Sequence, residues 1–288
     1  MIIAELRGGL GNQLFQWAAG LAAADRLGCE LKIDDSYFQR DSTDTKRKFD
    51  LQWLQNPPHI ATKSDLLFAT NTIKNHFLKL LPTYKRYVYK EANFEYDENF
   101  LKIKEPIFIK GYRQSYLYFH HLESRLQNQV EFPPSVVPNL EKIAKKIAET
   151  PNAVAVHVRR GDYASAELLA YHGLLPDSYY KQAFTAMKSK VQQPHYFLFS
   201  DDNTELATWL GLAERQYTLV SGLYTNNHFE DFSAMKLCKH AIIGNSTFSW
   251  WGAYLIKNSQ KIVIAPQQWF GSTGPSSRTM HPPTWQLL

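Results

Sequence analysis

The sequence is poor in cysteine and has no long apolar run. Its 288 residues include only two cysteines, Cys29 and Cys238, which lie far apart among apolar neighbours and suit reduced thiols better than a disulfide or a metal site. No apolar stretch approaches the roughly 20 residues that cross a bilayer, and the first residues lack the pattern of a secretory signal. We therefore expect a cytoplasmic protein.

Several signatures of nucleotide and nucleic-acid binding are also missing. The chain has no Gly-x4-Gly-Lys-Ser/Thr segment, no zinc-finger spacing and no RNP-like aromatic motif, so neither a P-loop enzyme nor a nucleic-acid partner is expected. Gly9 and Gly11 resemble the start of a dinucleotide fingerprint, but Leu14 replaces the small residue that lets helix and strand pack closely. This replacement disfavours a nicotinamide enzyme.

Positive charge is concentrated in residues 63–90. The chain carries a net charge of +5, and this segment holds six lysines and arginines against one acidic residue, Asp65, with aromatic side chains between them. Such a segment suits peripheral contact with anionic lipid headgroups at the inner face of a membrane, or with a lipid-linked glycan. The alternative is an ordinary solvated face of a helical region.

The apolar pattern predicts an α/β protein with two domains. Residues 2–34 predict a strand, a glycine-rich turn, a helix and a second strand, which is a βαβ unit. The second half predicts strands at 153–158, 196–200, 218–220, 241–243 and 261–265, alternating with helices at 177–190, 203–211, 229–239 and 247–257. This alternation indicates a doubly wound parallel sheet. A proline cluster ending at 138 separates an N-terminal α/β domain, 1–138, from a C-terminal Rossmann-like domain, 139–288.

Charged residues follow the first strand of the second half. His157, Arg159, Arg160 and Asp162 lie in or directly after an apolar strand, at the sheet edge where α/β proteins bind ligands. Adjacent arginines suit a diphosphate, because guanidinium groups make forked, charge-assisted hydrogen bonds to its oxygens. The alternative is that Arg159 pairs only with Asp162.

Polar residues also follow two later strands. Asn245, Ser246, Thr247 and Phe248 join a strand to a helix, where main-chain amides and the helix dipole can hold a phosphate, although an ordinary serine cap is the alternative. Asp202 either caps the next helix or accepts a ribose hydroxyl. Asp231 could pair with the edge of a guanine, which needs a carboxylate acceptor.

Three segments together resemble one enzyme family. The residues at 8–16, Gly-Gly-Leu-Gly-Asn-Gln-Leu-Phe-Gln, at 157–163, His-Val-Arg-Arg-Gly-Asp-Tyr, and at 245–255, Asn-Ser-Thr-Phe-Ser-Trp-Trp-Gly-Ala-Tyr-Leu, resemble the bacterial α1,2-fucosyltransferases of glycosyltransferase family 11. The resemblance implies a GT-B-like fold, with two Rossmann-like domains facing a cleft. It further implies inverting transfer of fucose from GDP-β-L-fucose to O2 of a terminal galactose in a glycan acceptor, with no metal or other cofactor. The absence of an Asp-x-Asp pattern agrees with metal independence.

The resemblance also assigns roles to residues. Arg159 would contact the leaving β-phosphate, with His157 and Arg160 supporting it or touching the guanosine. Asp231 would read the guanine, with Glu230 as the alternative because the spacing departs slightly. The remaining donor-binding residues would be Asn245, Ser246, Thr247 and Phe248, faced across the cleft by Gly9, Gly11 and Asn12.

Two matters stay open in the sequence. Asp162 is the nearest carboxylate that could act as general base, but it could instead orient the arginines while the leaving phosphate takes the proton. The acceptor is undetermined among lactose, N-acetyllactosamine and lipid-linked O-antigen units.

A glycan- or nucleotide-binding protein without catalysis is the competing class of function.

Overall fold

A computed structural model describes residues 1–39, 47–70, 76–78, 80–159, 173–203 and 205–288. The chain forms two units: unit 1 comprises Met1–Gln129 and Ser276–His281, and unit 2 comprises Val130–Pro275 and Pro282–Leu288. Each unit contains a parallel β-sheet with helices, which confirms the predicted α/β class. Among the described residues, no helix combines the length and apolar character needed to cross a bilayer.

Unit 1 is built on a four-stranded parallel sheet in the order β2-β1-β4-β3. Its strands are β1 (Ile2–Glu5), β2 (Leu31–Asp34), β3 (Val88–Lys90) and β4 (Ile107–Lys110), and its helices are α1 (Leu10–Leu27), α2 (Leu67–Thr70) and α3 (Glu123–Gln129). The predicted βαβ unit is therefore confirmed. Helix α1 ends at Gly28 because that residue adopts the left-handed conformation (φ 61°) and its amide closes onto the last turn.

Short single-turn helices lie on both sides of β4 in the chain. Between β2 and β4 they span Ser36–Gln39, Asp50–Trp53, Thr83–Lys85 and Glu98–Lys102, and after β4 they span Tyr116–Tyr118 and His120–Leu122. Strand β4 stops at Lys110, because Gly111 (φ 121°) and Arg113 (φ 54°) turn the chain out of the sheet.

Unit 2 contains a six-stranded parallel sheet in the order β10-β9-β8-β5-β6-β7. Its strands are β5 (Ala153–Val158), β6 (His195–Ser200), β7 (Tyr217–Leu219), β8 (His240–Ile242), β9 (Val263–Ala265) and β10 (Gln286–Leu287). Its helices are α4 (Leu140–Ala148), α5 (Asp177–Lys190), α6 (Leu206–Leu210), α7 (His228–Leu237) and α8 (Thr247–Tyr254), with one short turn at Glu214–Gln216. Every residue of β5 is buried, as expected for a strand covered on both faces.

The boundary between the units differs from the predicted one at 138. Residues 130–138 belong to unit 2, because the Phe132 ring packs 4.8 Å from that of Phe229, and Glu131 lies 3.2 Å from the Lys236 ammonium on α7. A second segment, 276–281, returns to unit 1, where the Ser115 hydroxyl donates to the Thr279 carbonyl at 2.6 Å. The proline cluster correctly marks the connection between the units, but the side-chain contacts of residues 130–138 show that this segment belongs to unit 2.

Candidate functional site

The strand order of unit 2 places its ligand site between β5 and β8. Counted along the chain within this unit, the order is 3-2-1-4-5-6, and the direction of winding reverses between the first and fourth strands. In open α/β sheets a ligand binds at that reversal, outside the carboxyl ends of the strands. Arg159 follows β5 and Asn245 follows shortly after β8, so both lie at the expected position.

Close packing keeps these two strand ends together. The Gly244 amide donates to the His157 carbonyl at 3.1 Å, which extends the pairing of β5 and β8 beyond the regular strands. From α5, the hydroxyls of Tyr179 and Tyr180 donate to the carbonyls of Ile243 (2.7 Å) and His157 (3.3 Å). A side chain at Gly244 would place its Cβ only 3.0 Å from the Tyr180 hydroxyl, so glycine permits this approach.

His157 is buried at this edge with one unused ring nitrogen. Its ring lies 5.6 Å from that of Phe248, and none of the described residues is within hydrogen-bond distance of the buried Nδ1. Burial lowers the pKa of His157 to about 4; the Asp201 charge opposes this shift and the Arg159 charge adds to it. His157 is therefore a neutral imidazole at pH 7, with one ring nitrogen left for a ligand.

Arg159 is the only charged residue of its segment that the structure describes. It directly follows β5, and it affects the pKa of His157 together with Asp201, which follows β6. Two strand ends, those of β5 and β6, thus bring opposite charges close to one buried ring. Arg160 and Asp162 lie outside the described residues.

Helix α8 begins without the serine cap that the sequence offers as the alternative. Ser246 occupies the N-cap position, is 4% exposed, and makes no capping hydrogen bond through its side chain to any described residue. Thr247 begins the helix, whose first-turn amides have no acceptor within the helix and carry the positive end of the dipole. This helix start can accept an anion.

Asn245 and Phe248 have structural contacts on either side of that helix start. The Asn245 Nδ2 donates to the carbonyls of Gly173 (3.0 Å) and Trp269 (3.3 Å), and so ties the strand end to two neighbouring loops. The Phe248 ring packs between His157 and Phe232, 5.5 Å from the latter.

Asp202 does not cap the next helix. Helix α6 starts after Glu205, which has φ 51° and makes no side-chain cap, so the capping interpretation is wrong. The Asp202 amide instead donates to the Ser200 hydroxyl at 3.1 Å, and that hydroxyl donates back to the Asp202 carbonyl at 2.8 Å. This closed turn ends β6 and turns the chain away from the strand.

Asp231 and Glu230 are adjacent but have different surroundings. The Asp231 carboxylate accepts hydrogen bonds from the hydroxyls of Ser221 (2.7 Å) and Thr225, and burial raises its pKa while these two bonds oppose the increase. Glu230 is fully buried and accepts from the amides of Asn139 (2.8 Å) and Asn226 (2.6 Å). Glu230 therefore joins the start of α7 to two loops, and Asp231 is the carboxylate that retains partial exposure.

The predicted residues of unit 1 lie at the carboxyl end of β1. Gly9 precedes α1 with an ordinary φ of −80°, Gly11 is buried within α1, and the Asn12 Oδ1 accepts a hydrogen bond from the Gln114 Nε2 at 2.9 Å. Gly8 is the glycine that the geometry requires, with φ 77° and room for no Cβ beside Asn12 (2.6 Å from Nδ2). These residues frame the reversal between β1 and β4 in the sheet of unit 1.

Sequence reasoning missed the residues that hold these groups in place. Gln13 is fully buried; it accepts from the Asp50 amide (2.9 Å) and donates to the Gly8 carbonyl (2.9 Å), which fastens the glycine turn. Ser221 and Thr225, which hold Asp231, lie in a loop without any motif. Gln13 could have been noticed as a polar residue on the apolar face of α1, but the other two carry no signal in the sequence.

Among the described residues, no group of three or more histidine, cysteine or acidic side chains is arranged to bind a metal ion.

The chain is similar in sequence to known glycosyltransferases. The model of Glycosyl transferase family 11 matches residues 57–287. The O-antigen biosynthesis glycosyltransferase WbnK of Escherichia coli is 30% identical, over 96% of this chain and 97% of that protein. An α-1,2-colitosyltransferase of Escherichia coli is 29% identical, over 99% of this chain and 98% of that protein. The human galactoside α-(1,2)-fucosyltransferase 1 is 23% identical, over 55% of this chain and 46% of that protein.

Proposed function

Because the chain belongs to glycosyl transferase family 11, we propose that it transfers L-fucose from GDP-β-L-fucose to O2 of a terminal galactose, with inversion and without a metal ion. Two relatives of different origin, one bacterial and one human, are named for α-1,2 linkages, and this supports the proposed position of transfer. The name of WbnK places that protein in O-antigen biosynthesis, which favours a galactose-terminated glycan of this kind as the acceptor.

The observation that carries the proposal is the meeting of an arginine, a neutral buried histidine and a helix start at the reversal of the unit 2 sheet. Arg159 and the first-turn amides of α8 suit the two phosphates of GDP, because both supply positive charge and hydrogen-bond donors. The unused Nδ1 of His157 suits a polar atom of the nucleoside, and Asp231 suits the N1-H and amino edge of guanine. Ser246 and Thr247 would complete the phosphate contacts.

The reaction needs stabilisation of the leaving group. The bond between fucose C1 and the β-phosphate oxygen lengthens while positive charge develops on the sugar ring and negative charge on GDP. Arg159 acts on that developing negative charge, and a fixed cation there stabilises the transition state more than the bound donor. The dipole of α8 acts in the same direction.

The acceptor hydroxyl must also lose a proton. Its oxygen attacks C1 from the face opposite GDP, which inverts the configuration. In our proposal Asp162 takes this proton; the competing route transfers it late to the departing phosphate. A cytoplasmic site of action stays a prediction.

Transfer of colitose is the second candidate, and a specific observation favours it. The α-1,2-colitosyltransferase matches nearly the full length of both chains. Colitose is L-fucose without its C3 hydroxyl, so the nucleotide and phosphate contacts described above serve either donor. A polar group of the site that hydrogen-bonds the C3 hydroxyl of fucose would have no partner at C3 of colitose. Such a group would make the site prefer the fucose donor.

The test is product analysis with both donors. Purified protein is incubated with lactose and excess EDTA, with either GDP-fucose or GDP-colitose, and products are examined by mass spectrometry and NMR. A fucosylated product with an α linkage to galactose O2 supports the full proposal. A product formed only with GDP-colitose would mean that the donor is GDP-colitose and not GDP-fucose. Release of free fucose without transfer supports the donor site and rejects lactose as acceptor. Neither transfer nor hydrolysis with either donor would support a binding protein without catalysis.

A further inference from the structure

Several exposed apolar side chains of unit 1 lie close together in the sequence, and none of them is assigned to transfer. Leu67, Phe77, Leu80 and Leu81 are exposed, with Phe77 at 72% and Leu80 at 91% of their full surface. They are four of the eleven exposed large apolar side chains among the described residues, and all fall within residues 67–81. Single exposed apolar residues are common, but such a concentration marks a surface that binds something.

Contacts within unit 1 place cations beside these apolar side chains. The Arg86 Nε donates to the Leu81 carbonyl at 2.8 Å, so the guanidinium lies next to the exposed leucines. The Phe68 ring packs 5.8 Å from that of Tyr87, which brings helix α2 against the same segment. We define the docking patch as the side chains of Leu67, Phe77, Leu80, Leu81, Lys85 and Arg86.

Within the segment that carries the docking patch, residues 63–90, the charge is almost entirely positive. Lys63, Lys85 and Lys90 are exposed, and Asp65 is the only acidic residue between 63 and 90. Both carboxylate oxygens of Asp65 lie 3.0 Å from the Lys32 ammonium, outside this segment, and hydrogen bonds from Thr62 and Lys32 lower its pKa to about 2. The acid of the segment is thus engaged by Lys32, a cation from outside the segment.

We propose that the docking patch binds the surface of an anionic phospholipid bilayer. The exposed leucines and Phe77 enter the boundary between headgroups and acyl chains, and Lys85 and Arg86 contact the lipid phosphates. Apolar side chains alternating with cations fit this boundary, where an apolar layer and a negative layer lie a few ångströms apart. The proposal goes beyond sugar transfer and does not depend on it, because binding requires neither donor nor acceptor.

Co-sedimentation of the full chain with vesicles tests the proposal. One set of vesicles contains phosphatidylglycerol and phosphatidylcholine, and the other contains phosphatidylcholine alone. We expect binding to the anionic vesicles that weakens with added salt. Leu80→Ser should lower the partition coefficient about tenfold, and Lys85→Glu about twentyfold, since each positive charge at an anionic surface contributes about fivefold.

Two exposed residues of unit 2 provide matched controls. Leu237→Ser and Lys188→Glu make the same chemical changes at exposed positions that are not part of the docking patch, and they should leave binding unchanged. Circular dichroism and thermal unfolding of each variant show whether it folds. Equal binding of all variants, or no binding by the unaltered chain, overturns the proposal. A dimer that Leu80→Ser dissociates, without vesicle binding, would overturn it in favour of a second copy of the chain.

Discussion

The two parallel sheets end in different chemistry at their carboxyl edges. At the edge of unit 2, Arg159 follows β5 and the first-turn amides of α8 follow β8, so both sides of the reversal suit an anion. At the edge of unit 1, Asn12 bonds to Gln114, and the Glu5 carboxylate lies 2.7 Å from Arg7. One topology therefore supplies the place for a ligand, and the strand-end residues select its charge.

In the proposed function, the diphosphate of GDP binds at the edge of unit 2, where Arg159 and the start of α8 lie. At the edge of unit 1 the carboxamides of Asn12 and Gln114 are neutral, and Glu5 lies between Arg7 and Lys110 (3.3 Å). We therefore expect this edge to act on the acceptor more than on the donor, in contrast to the donor-binding role that the resemblance implies for Gly9, Gly11 and Asn12. If that is correct, changes at the two edges should affect different steps of the reaction.

The largest effect is expected from Arg159→Ala. Removing the cation should lower kcat about a hundredfold to a thousandfold, because its interaction with the leaving phosphate is strongest in the transition state. The affinity for GDP, measured by calorimetry, should fall much less. Arg215→Ala, an exposed arginine of the same unit, should change neither quantity. A loss of less than about tenfold in kcat, or about 1.4 kcal/mol, would remove Arg159 from this role.

The second effect is a pH dependence of stability from His157. Its folded-state pKa of about 4 lies below the ordinary 6.5, so the unfolded chain binds a proton first as the pH falls. The stabilisation is therefore complete above pH 6.5 and is lost toward pH 4, by about 3 kcal/mol. Burial also lowers the pKa of His281, in unit 1, to about 3, so His281 makes the fold less stable at low pH in the same way. This contribution is present both in the unaltered chain and in a His157 variant.

Denaturant unfolding between pH 4 and 7 checks this prediction. The free energy of unfolding of His157→Gln should depend less on pH than that of the unaltered chain. Identical slopes for the two proteins would mean that His157 is protonated equally in the folded and unfolded states.

The third effect separates two adjacent carboxylates. Asp231→Asn should weaken GDP binding about ten- to a hundredfold, because a charged acceptor for the guanine edge is lost. It should weaken binding of inosine diphosphate less, since that base lacks the amino group. Glu230→Gln should instead lower the free energy of unfolding by about 1–3 kcal/mol, because its amide nitrogen cannot accept a hydrogen bond and leaves one of the two main-chain amides without an acceptor. The preference for GDP should stay unchanged. The reverse result would assign guanine to Glu230.

The smallest effect concerns unit 1. Gln114→Leu removes the hydrogen bond that orients Asn12 and should lower kcat/KM for the acceptor about fivefold, with GDP affinity unchanged. Steady-state kinetics with lactose varied at saturating donor measures it. A matching loss of GDP affinity would show that the two edges share the nucleotide and would break the division proposed between them.

Much of unit 2 could be predicted because its signals are local. The predicted strand 153–158 matches β5, since six apolar-rich residues buried on both faces leave little choice of structure. The helix predicted at 177–190 likewise matches α5. The predicted helix 203–211 is shorter in the structure, Leu206–Leu210, because Glu205 (φ 51°) and Gly211 (φ 70°) adopt the left-handed conformation at its two ends.

Other features depend on contacts that no short pattern records. Strands β3 and β10 have only three and two residues, and they exist because a neighbouring strand offers hydrogen-bonding partners. The sequence directs attention to Gly9 and Gly11, yet the backbone requires glycine at Gly8, where φ is positive. That requirement comes from the Asn12 side chain packed against Gly8.

The sequence by itself determined the α/β class, the family and the residue types at the strand ends, because apolar periodicity and short motifs are local properties of the chain. Only the tertiary structure decided which of those ends meet. Arg159 and Asn245 are neighbours because β5 pairs with β8 across more than eighty intervening residues. The same folding buries Glu230 among main-chain amides and leaves Asp231 partly exposed. Such choices rest on the hydrogen-bond register between distant strands and on burial, which exist only once the chain has folded.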